Sequence, residues 1–427
     1  MKSYTIKSSY RKLREYYNDI LNKDKGLFNN SNDEPTPIEC VEEMIAKIPE
    51  EIFKNEDLKI LDPCCGTGNF FIPLYNKLKE EIGRKKLLEE VLHFNDINRK
   101  RLEVVNKVFL GHKYDLNVSC KDFLEFEEDV LYDLIITNPP YAKISPDGKR
   151  ASKNHNLIGL FLSKDLSLLK EGGILVFITP NNWMSYSRRN KLIREITKYQ
   201  LLHLDIHTAK KYFKKVGSSF TWYVLEKKPS YKDIEVECLW KGNIYKDKVK
   251  SGVRNYIPLF YTRKVQSILS KTIDKDQERF LMETSSDLHR YTKRDIIKNE
   301  ADDEYKYRLL HTPSQTCWSN RAHKYQEGYK VFIGTTTYYN AFVDDCGMTQ
   351  SFIFYRAENI EKAEKVAKIL NHPLYKFINN ICRYGNFNNI MIIKYFPLCE
   401  EFEDVYDKFG ITKEEQTFIE DNTIGCK

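Results

Sequence analysis

The stretch Asp62-Pro63-Cys64-Cys65-Gly66-Thr67-Gly68-Asn69-Phe70, set between a short apolar run and a helical one, constrains this chain most. A Gly-x-Gly turn lets the backbone approach a ligand closely, and the helix that follows offers free N–H groups to an anionic group. Apolar runs alternate with amphipathic stretches on both sides of it. Leu58–Leu61, Val91–Phe94, Asn117–Cys120, Asp133–Thr137 and Ile174–Ile178 read as strands. Helices are expected from about Asn69, over the charged residues 80–90, and over 98–110, 157–169 and 187–198, with Gly172-Gly173 stopping the fourth. Two further helices, 9–22 and 36–48, precede this set, and strands at 201–206 and 220–226 follow it. Such alternation predicts an α/β fold built on a doubly wound sheet, with ligands at the carboxyl ends of its strands.

Those ends carry polar residues. Asp96 ends the second strand and suits a ribose diol. Asp122 ends the third and suits an adenine amine, with Ile97 and Phe123 packing on the ring faces. Each aspartate can also be read as a turn or helix-cap residue. The third glycine of the Gly-x-Gly-x-x-Gly pattern is missing, which disfavours a nicotinamide cofactor. The fourth strand runs into Asn138-Pro139-Pro140-Tyr141. A conjugated amine, on adenine, cytosine or glutamine, has a delocalised lone pair and attacks a methyl donor only as that pair localises. Two acceptors aimed at its N–H bonds favour the tetrahedral nitrogen of the transition state. The Asn138 side-chain oxygen and the Pro139 carbonyl supply them, Pro140 restricts the direction of that carbonyl, and Tyr141 stacks on the flat substrate. A strand followed by a Pro-Pro turn is the plainer reading of the same residues.

At 427 residues the chain exceeds one usual domain, so two are expected, 1–240 and 241–427. A net charge of +7 permits a nucleic-acid partner without demanding one. No apolar run reaches the length of a membrane span, and the start, Met1-Lys2-Ser3-Tyr4, does not read as a secretory signal. Ten cysteines without a Cys-x-x-Cys pair and nine histidines without ligand spacing point to reduced thiols, a cytoplasmic location and no metal. Beyond residue 240, four runs hold groups that read base edges or grip phosphate: Trp318–Lys324, Gly328–Val331, the Thr and Tyr residues of 335–339, and Cys382–Asn389, although a set of ordinary polar loops on a mixed domain reads the same way. A helix over 360–381 forms the core there, and the acidic tail from Glu400 to Asp421 reads as a solvated face.

In combination these motifs resemble the S-adenosylmethionine-dependent amino-methyltransferases of the gamma group, the DNA adenine methyltransferases of restriction–modification type. The resemblance covers roughly residues 30–228. It implies a Rossmann-like methyltransferase sheet followed by a mixed α/β target-recognition domain. Asp62, Pro63, Cys64, Gly66, Gly68, Asn69 and Phe70 would cradle the methionine part of S-adenosylmethionine. Asp96 would hold the ribose, Ile97, Asp122 and Phe123 the adenine, and Thr36-Pro37 match an amino-terminal cofactor motif. The segment from Lys170 to Trp183 matches the region of the fifth strand. Asn138, Pro139, Pro140 and Tyr141 would act on the base, with Phe213, or else Tyr212 or Phe220, stacking on its other face. The implied reaction is methylation of the exocyclic amine of an adenine flipped out of duplex DNA, with a cognate restriction endonuclease as a further partner of such enzymes. The basic loop 142–155, with Lys143, Lys149, Arg150 and Lys153, is expected near the DNA. RNA adenine or protein glutamine methylation, and a non-catalytic nucleic-acid-binding module, are the alternatives. Cytosine amino-methylation more often has Ser in place of Asn138.

Overall fold

The computed structural model describes residues 4–28, 34–142, 157–187, 191–213, 219–400 and 403–423. The chain divides into two compact units, Met1–Trp183 with Lys191–Arg254, and Met184–Asn190 with Asn255–Lys427. The division falls after Arg254 and not after 240, because a hairpin beyond residue 230 completes the first unit's sheet.

In the first unit, α1 (Tyr10–Asp19) and α2 (Ile38–Ile45) precede β1 (Ile60–Asp62). Then come α3 (Phe71–Leu78), a single turn α4 (Arg84–Lys86), β2 (Leu92–Asn95), α5 (Arg99–Val108), β3 (Asn117–Ser119) and β4 (Tyr132–Thr137). The charged stretch 80–90 is therefore not one helix: it breaks at Gly83 and closes in a π turn over Leu87–Val91. After these follow α6 (Ile158–Leu168), β5 (Leu169–Pro180), α7 (Leu192–Lys198), β6 (Tyr199–Ile206), β7 (Phe220–Pro229), β8 (Ile234–Trp240) and β9 (Asn243–Val249). They form one nine-stranded sheet in the order β3-β2-β1-β4-β5-β7-β6-β8-β9. Strands β1 to β5 are parallel, and β7 runs antiparallel between β5 and β6. The Leu134-Ile135-Ile136 run explains the central position of β4: both faces of a parallel sheet are covered, and every residue of β4 is buried.

Gly172 and Gly173 do not end the helix before β5. They lie inside the strand as a bulge, since Tyr132 pairs with Leu169 but Leu134 pairs with Ile174. A Cβ on Gly173 would meet the Lys170 carbonyl oxygen at 2.9 Å and that of Asp133 at 3.1 Å, so only glycine fits there. The strand order reverses around β1, which puts a ligand crevice outside the carboxyl ends of β1 and β4.

The second unit begins with α8 (Arg263–Lys271) and holds two four-stranded sheets. One is β10 (Glu283–Thr284), β17 (Phe352–Arg356), β14 (Lys330–Gly334) and β15 (Ala341–Asp344). The other is β11 (Ile297–Lys298), β13 (Gln315–Ser319), β12 (Tyr307–Thr312) and β16 (Gly347–Met348). Leu310 and Met348 of the second sheet pack with Phe332, Phe352 and Phe354 of the first in a shared core. The expected helix over 360–381 is two helices, α9 (Ile360–Leu370) and α10 (Pro373–Ile381), because Pro373 starts a new one behind the His372 cap. The helices α11 (Ile390–Lys394), α12 (Val405–Lys408) and α13 (Lys413–Thr423) close the unit. The acidic tail is not wholly a solvated face, since Glu415 is buried and paired with Lys271 at 2.6 Å.

Candidate active site

Asp62 ends β1 with one carboxylate oxygen accepting from the Cys64 N–H at 3.2 Å; the other is buried without a partner. Burial pushes this carboxyl well above the usual range. Gly66 and Gly68 both have positive φ, +55° and +89°. A Cβ on Gly68 would come within 2.7 Å of the Phe109 ring, so a side chain there would displace the packing beneath the loop. A turn of this geometry, starting at a buried acid with one unpartnered oxygen and leading into the Phe71 helix, fits the polar end of a charged cofactor.

The Asp96 carboxylate already holds the loop. One oxygen accepts from the Gly66 N–H at 2.9 Å and the other from the Asn98 N–H at 2.7 Å, and Arg101 lies 3.7 Å away. Asp122 is exposed and caps a short turn, accepting from the Leu124 N–H at 3.0 Å. Both therefore perform the turn-forming tasks also expected of them. Ile97 is 70% exposed. Phe123 is buried and stacks on Phe161 of α6, with centroids 5.6 Å apart and planes at 25°. Phe161 thus joins the aromatic wall, a role that its place in a helix hides in the sequence. Asn95, also missed, ties three strand ends together. Its amide N–H groups donate to the Pro63 and Lys121 carbonyls, and its oxygen accepts from Ser119 Oγ and the Lys121 N–H.

One hydrogen-bonded chain joins the glycine loop to the tetrapeptide. Asn69 Nδ2 donates to the Thr36 carbonyl at 2.8 Å, and Thr67 Oγ1 donates to Asn69 Oδ1 at 2.8 Å. The Thr36 hydroxyl in turn accepts from Asn138 Nδ2 at 3.1 Å. The other Asn138 N–H reaches the Glu34 carbonyl, also at 3.1 Å. With both amide donors held, the Asn138 oxygen faces the other way and accepts from the Tyr141 hydroxyl. Among the described residues none donates to the Pro139 carbonyl, the second expected acceptor. Pro37 sits at the start of α2 and Pro140 is half-buried.

Tyr141 differs from its expected exposed stacking role. It is only 7% exposed, its ring lies 6.3 Å from Phe220, and burial raises its hydroxyl's pKa. Phe213 is buried too, 4.7 Å from Phe220. Phe213, Phe220 and Tyr141 therefore form one aromatic cluster beside Asn138. Tyr212 is turned away, its hydroxyl donating to Glu43 Oε1 at 2.8 Å. Of the basic loop 142–155 only Ala142, buried, is among the described residues; Lys143, Lys149, Arg150 and Lys153 lie outside them, as do 214–217 after Phe213. No helix among the described residues is long and apolar enough to cross a membrane.

In the second unit the expected base-reading runs are largely structural. Arg321 is bound to Asp287 at 2.8 Å, and buried His323 contacts Ser285 Oγ at 2.8 Å. Tyr339 donates to the Leu370 carbonyl, and Asn388 bonds the carbonyls of Gly334 and Thr337. Tyr338 and Phe387 stay exposed, with the Arg383 guanidinium 5.7 Å from the Tyr338 ring.

Residues 68–215, from the second glycine of the loop past Phe213, match the family of Eco57I restriction-modification methylases. That segment is similar to restriction–modification methylases over about a third of the chain. Its relatives include the type II methyltransferase M.VspI of Vibrio sp. (strain 343), 27% identical over 155 residues, or 34% of this chain and 35% of that one. The type II methyltransferase M.TthHB8I of Thermus thermophilus is 36% identical over 81 residues, 15% of this chain and 19% of that one. The chain thus spans about a third or less of these relatives' lengths. Among solved structures, a cryo-EM structure of a DrdV–DNA complex resembles the fold with a TM-score of 0.56 at 14% identity, over 96% of this chain and 59% of that one.

Proposed function

We propose that this protein is a DNA methyltransferase that transfers the methyl group of S-adenosylmethionine to the exocyclic amine of an adenine flipped out of duplex DNA. The observation that carries the reading is the fixed Asn138 amide. Both of its donors are consumed by Thr36 and Glu34, so only its oxygen is left to accept from a substrate. An asparagine held this way is an acceptor and not a donor, which suits an incoming N–H and not a carbonyl. The same Thr36 is tied to the glycine loop through Asn69, so one network sets the distance between cofactor and amine.

Bound S-adenosylmethionine would supply an activated sulfonium methyl. Asp62, Gly66, Gly68 and Asp96 would hold its amino-acid and ribose parts, and Ile97, Asp122, Phe123 and Phe161 its adenine. Asn138 Oδ1 and the Pro139 carbonyl accept the two amine N–H groups as the nitrogen becomes tetrahedral. Tyr141 must release the Asn138 oxygen before the base enters; its ring and the Phe213–Phe220 pair then flank the base. The second unit acts as the target-recognition domain, where Tyr338, Arg383 and Phe387 offer an exposed stacking surface. The related structure of a DNA complex supports DNA as the partner, and a cognate endonuclease would be a further one by analogy with restriction–modification relatives.

Label transfer tests this. Protein with methyl-labelled S-adenosylmethionine is given duplex DNA, total RNA or a cell protein extract, and the labelled product is digested and identified. Label on adenine of DNA is the expected result. Label in RNA or on glutamine overturns the partner and keeps the amine chemistry. Asn138→Ala is expected to abolish transfer with cofactor binding nearly intact, and equal loss of both would refute its role.

A further inference from the structure

The second unit contains a cavity of about 300 Å³ lined by Arg290, Tyr291, Arg294, Ile297 and Asn299. Its two arginines differ from their neighbours. Arg308, Arg321 and Arg356 each bind a carboxylate, of Asp344, Asp287 and Glu283 respectively. Among the described residues Arg290 and Arg294 form no salt bridge. Neutral acceptors orient them instead. Arg290 Nη2 donates to Asn299 Oδ1 at 2.6 Å, and Arg294 Nε donates to the Tyr291 carbonyl at 3.2 Å. The Arg290 backbone is anchored as well, its N–H donating to Gln350 Oε1 at 3.0 Å. These contacts remove rotamer freedom without discharging either guanidinium, and most of the N–H groups of both forks remain for a ligand.

The surroundings add charge and an aromatic face. Around the cavity the chain carries Arg290, Lys293 and Arg294 against Asp295, while the charge of Lys298 is taken up by Asp302 at 3.0 Å. Tyr291, 60% exposed, is flanked by the rings of His289 and His311 at 6.0 and 6.2 Å. Burial, with the nearby Arg290 charge second, holds the His311 pKa down. Beneath the cavity, Ile296 and Ile297 pack on Leu288, Leu309 and Cys317, so the site stands on a rigid base. Two pre-oriented, uncompensated forks match the oxygens of a phosphodiester, and a half-open tyrosine suits the adjoining sugar.

We propose that this cavity is a phosphate clamp that grips the backbone of duplex DNA and so sets the register of the recognition unit. The proposal rests on the reading of the protein as a DNA methyltransferase. It is tested on the full chain with fluorescein-labelled duplexes of mixed sequence, by titrating binding at several salt concentrations. Each phosphate contact contributes about 0.9 to the slope of log affinity against log salt. Arg290→Gln with Arg294→Gln should reduce the steepness of that slope by about 0.9, the contribution of the one phosphate both forks grip, and weaken binding on every sequence alike. Replacing both by Lys should keep most of the slope. Asn299→Ala, which removes only the neutral brace, should weaken binding with the slope unchanged. Melting curves and cofactor binding, read in parallel, establish that each variant is folded.

An unchanged slope in the folded Gln variant, with wild type binding normally, overturns the clamp alone. A loss confined to particular sequences overturns it in favour of base-edge reading. Wild-type protein with no salt-dependent affinity for duplex DNA would overturn the DNA reading itself, and is separable because no variant is needed to see it.

Discussion

Thr36 divides two accounts of the same motif. By resemblance it touches the cofactor; by geometry its hydroxyl orients the Asn138 amide, to which the proposed function gives a role in transfer. The two are separable because different atoms are involved. The Thr36 carbonyl receives Asn69, and the hydroxyl receives Asn138. Thr36→Val keeps shape and carbonyl and removes only the acceptor, at a residue 2% exposed. Asn138 then keeps one of its two braces, the Glu34 carbonyl. Losing a hydrogen bond and leaving a half-buried donor unsatisfied costs about 1–2 kcal/mol. If that cost falls on the orientation needed in the transition state, kcat drops roughly 5- to 30-fold. The cofactor Kd, measured by titration calorimetry, should stay within about twofold, since the tie to the glycine loop is untouched. Thr36→Ser restores the acceptor and should recover most of kcat. A Val variant that loses cofactor affinity and keeps kcat would refute the positioning role. Loss of kcat that Ser does not rescue would reduce Thr36 to packing.

Other expectations follow from the same site and its sheet. Tyr141→Phe removes the hydroxyl that occupies the Asn138 oxygen but keeps the ring; DNA should bind a few-fold more tightly, with kcat changed less than about threefold, because displacing that hydroxyl costs about 1 kcal/mol. A drop in kcat of several hundredfold would mean that the hydroxyl takes part in transfer. Asp205, buried beside Thr208 and Ala209, has its pKa raised to about 7, chiefly by burial. The folded state then holds a proton that the unfolded state has lost between about pH 4 and pH 7. Asp205 therefore makes stability fall as pH rises through that window, by up to about 1.4 kcal/mol per pH unit, and adds nothing further above it. Asp205→Asn keeps an acceptor for the Thr208 and Ala209 N–H groups and should flatten this part of the denaturation profile. Parallel wild-type and variant profiles would contradict the assignment.

What could be read in the sequence depended on whether a residue's task is local. The glycine loop and Asn138-Pro139-Pro140-Tyr141 were readable because backbone shape and residue type carry most of their meaning within a few positions. The central sheet was readable for a similar reason, since the apolar run of β4 can be buried on both faces only in a parallel layer. Gly172-Gly173 was ambiguous at that level: the pair that stops a helix also makes a bulge, and only the paired strand, where one residue, Asp133, lies opposite four, decides between them. Pro373 did hold a local signal for a new helix, but the long apolar spacing on both sides masked it. Arg321 illustrates the opposite limit. Exposed polar runs read as ligand contacts, yet its partner Asp287 is 34 residues away and becomes a neighbour only through the fold. The same step hides Arg290 and Arg294. What distinguishes them is the absence of a salt bridge among the described residues, a property of folded neighbours that no motif encodes. Tyr141 combines both cases. Its place after Pro140 announces a site, whereas its inward hydroxyl depends on Phe220, 79 positions along the chain, giving the ring somewhere to pack. Such contacts are also the ones a ligand must rearrange, so the positions least readable in this sequence, the Tyr141 hydroxyl first among them, are where the proposed binding of a base would have to do its work on the protein.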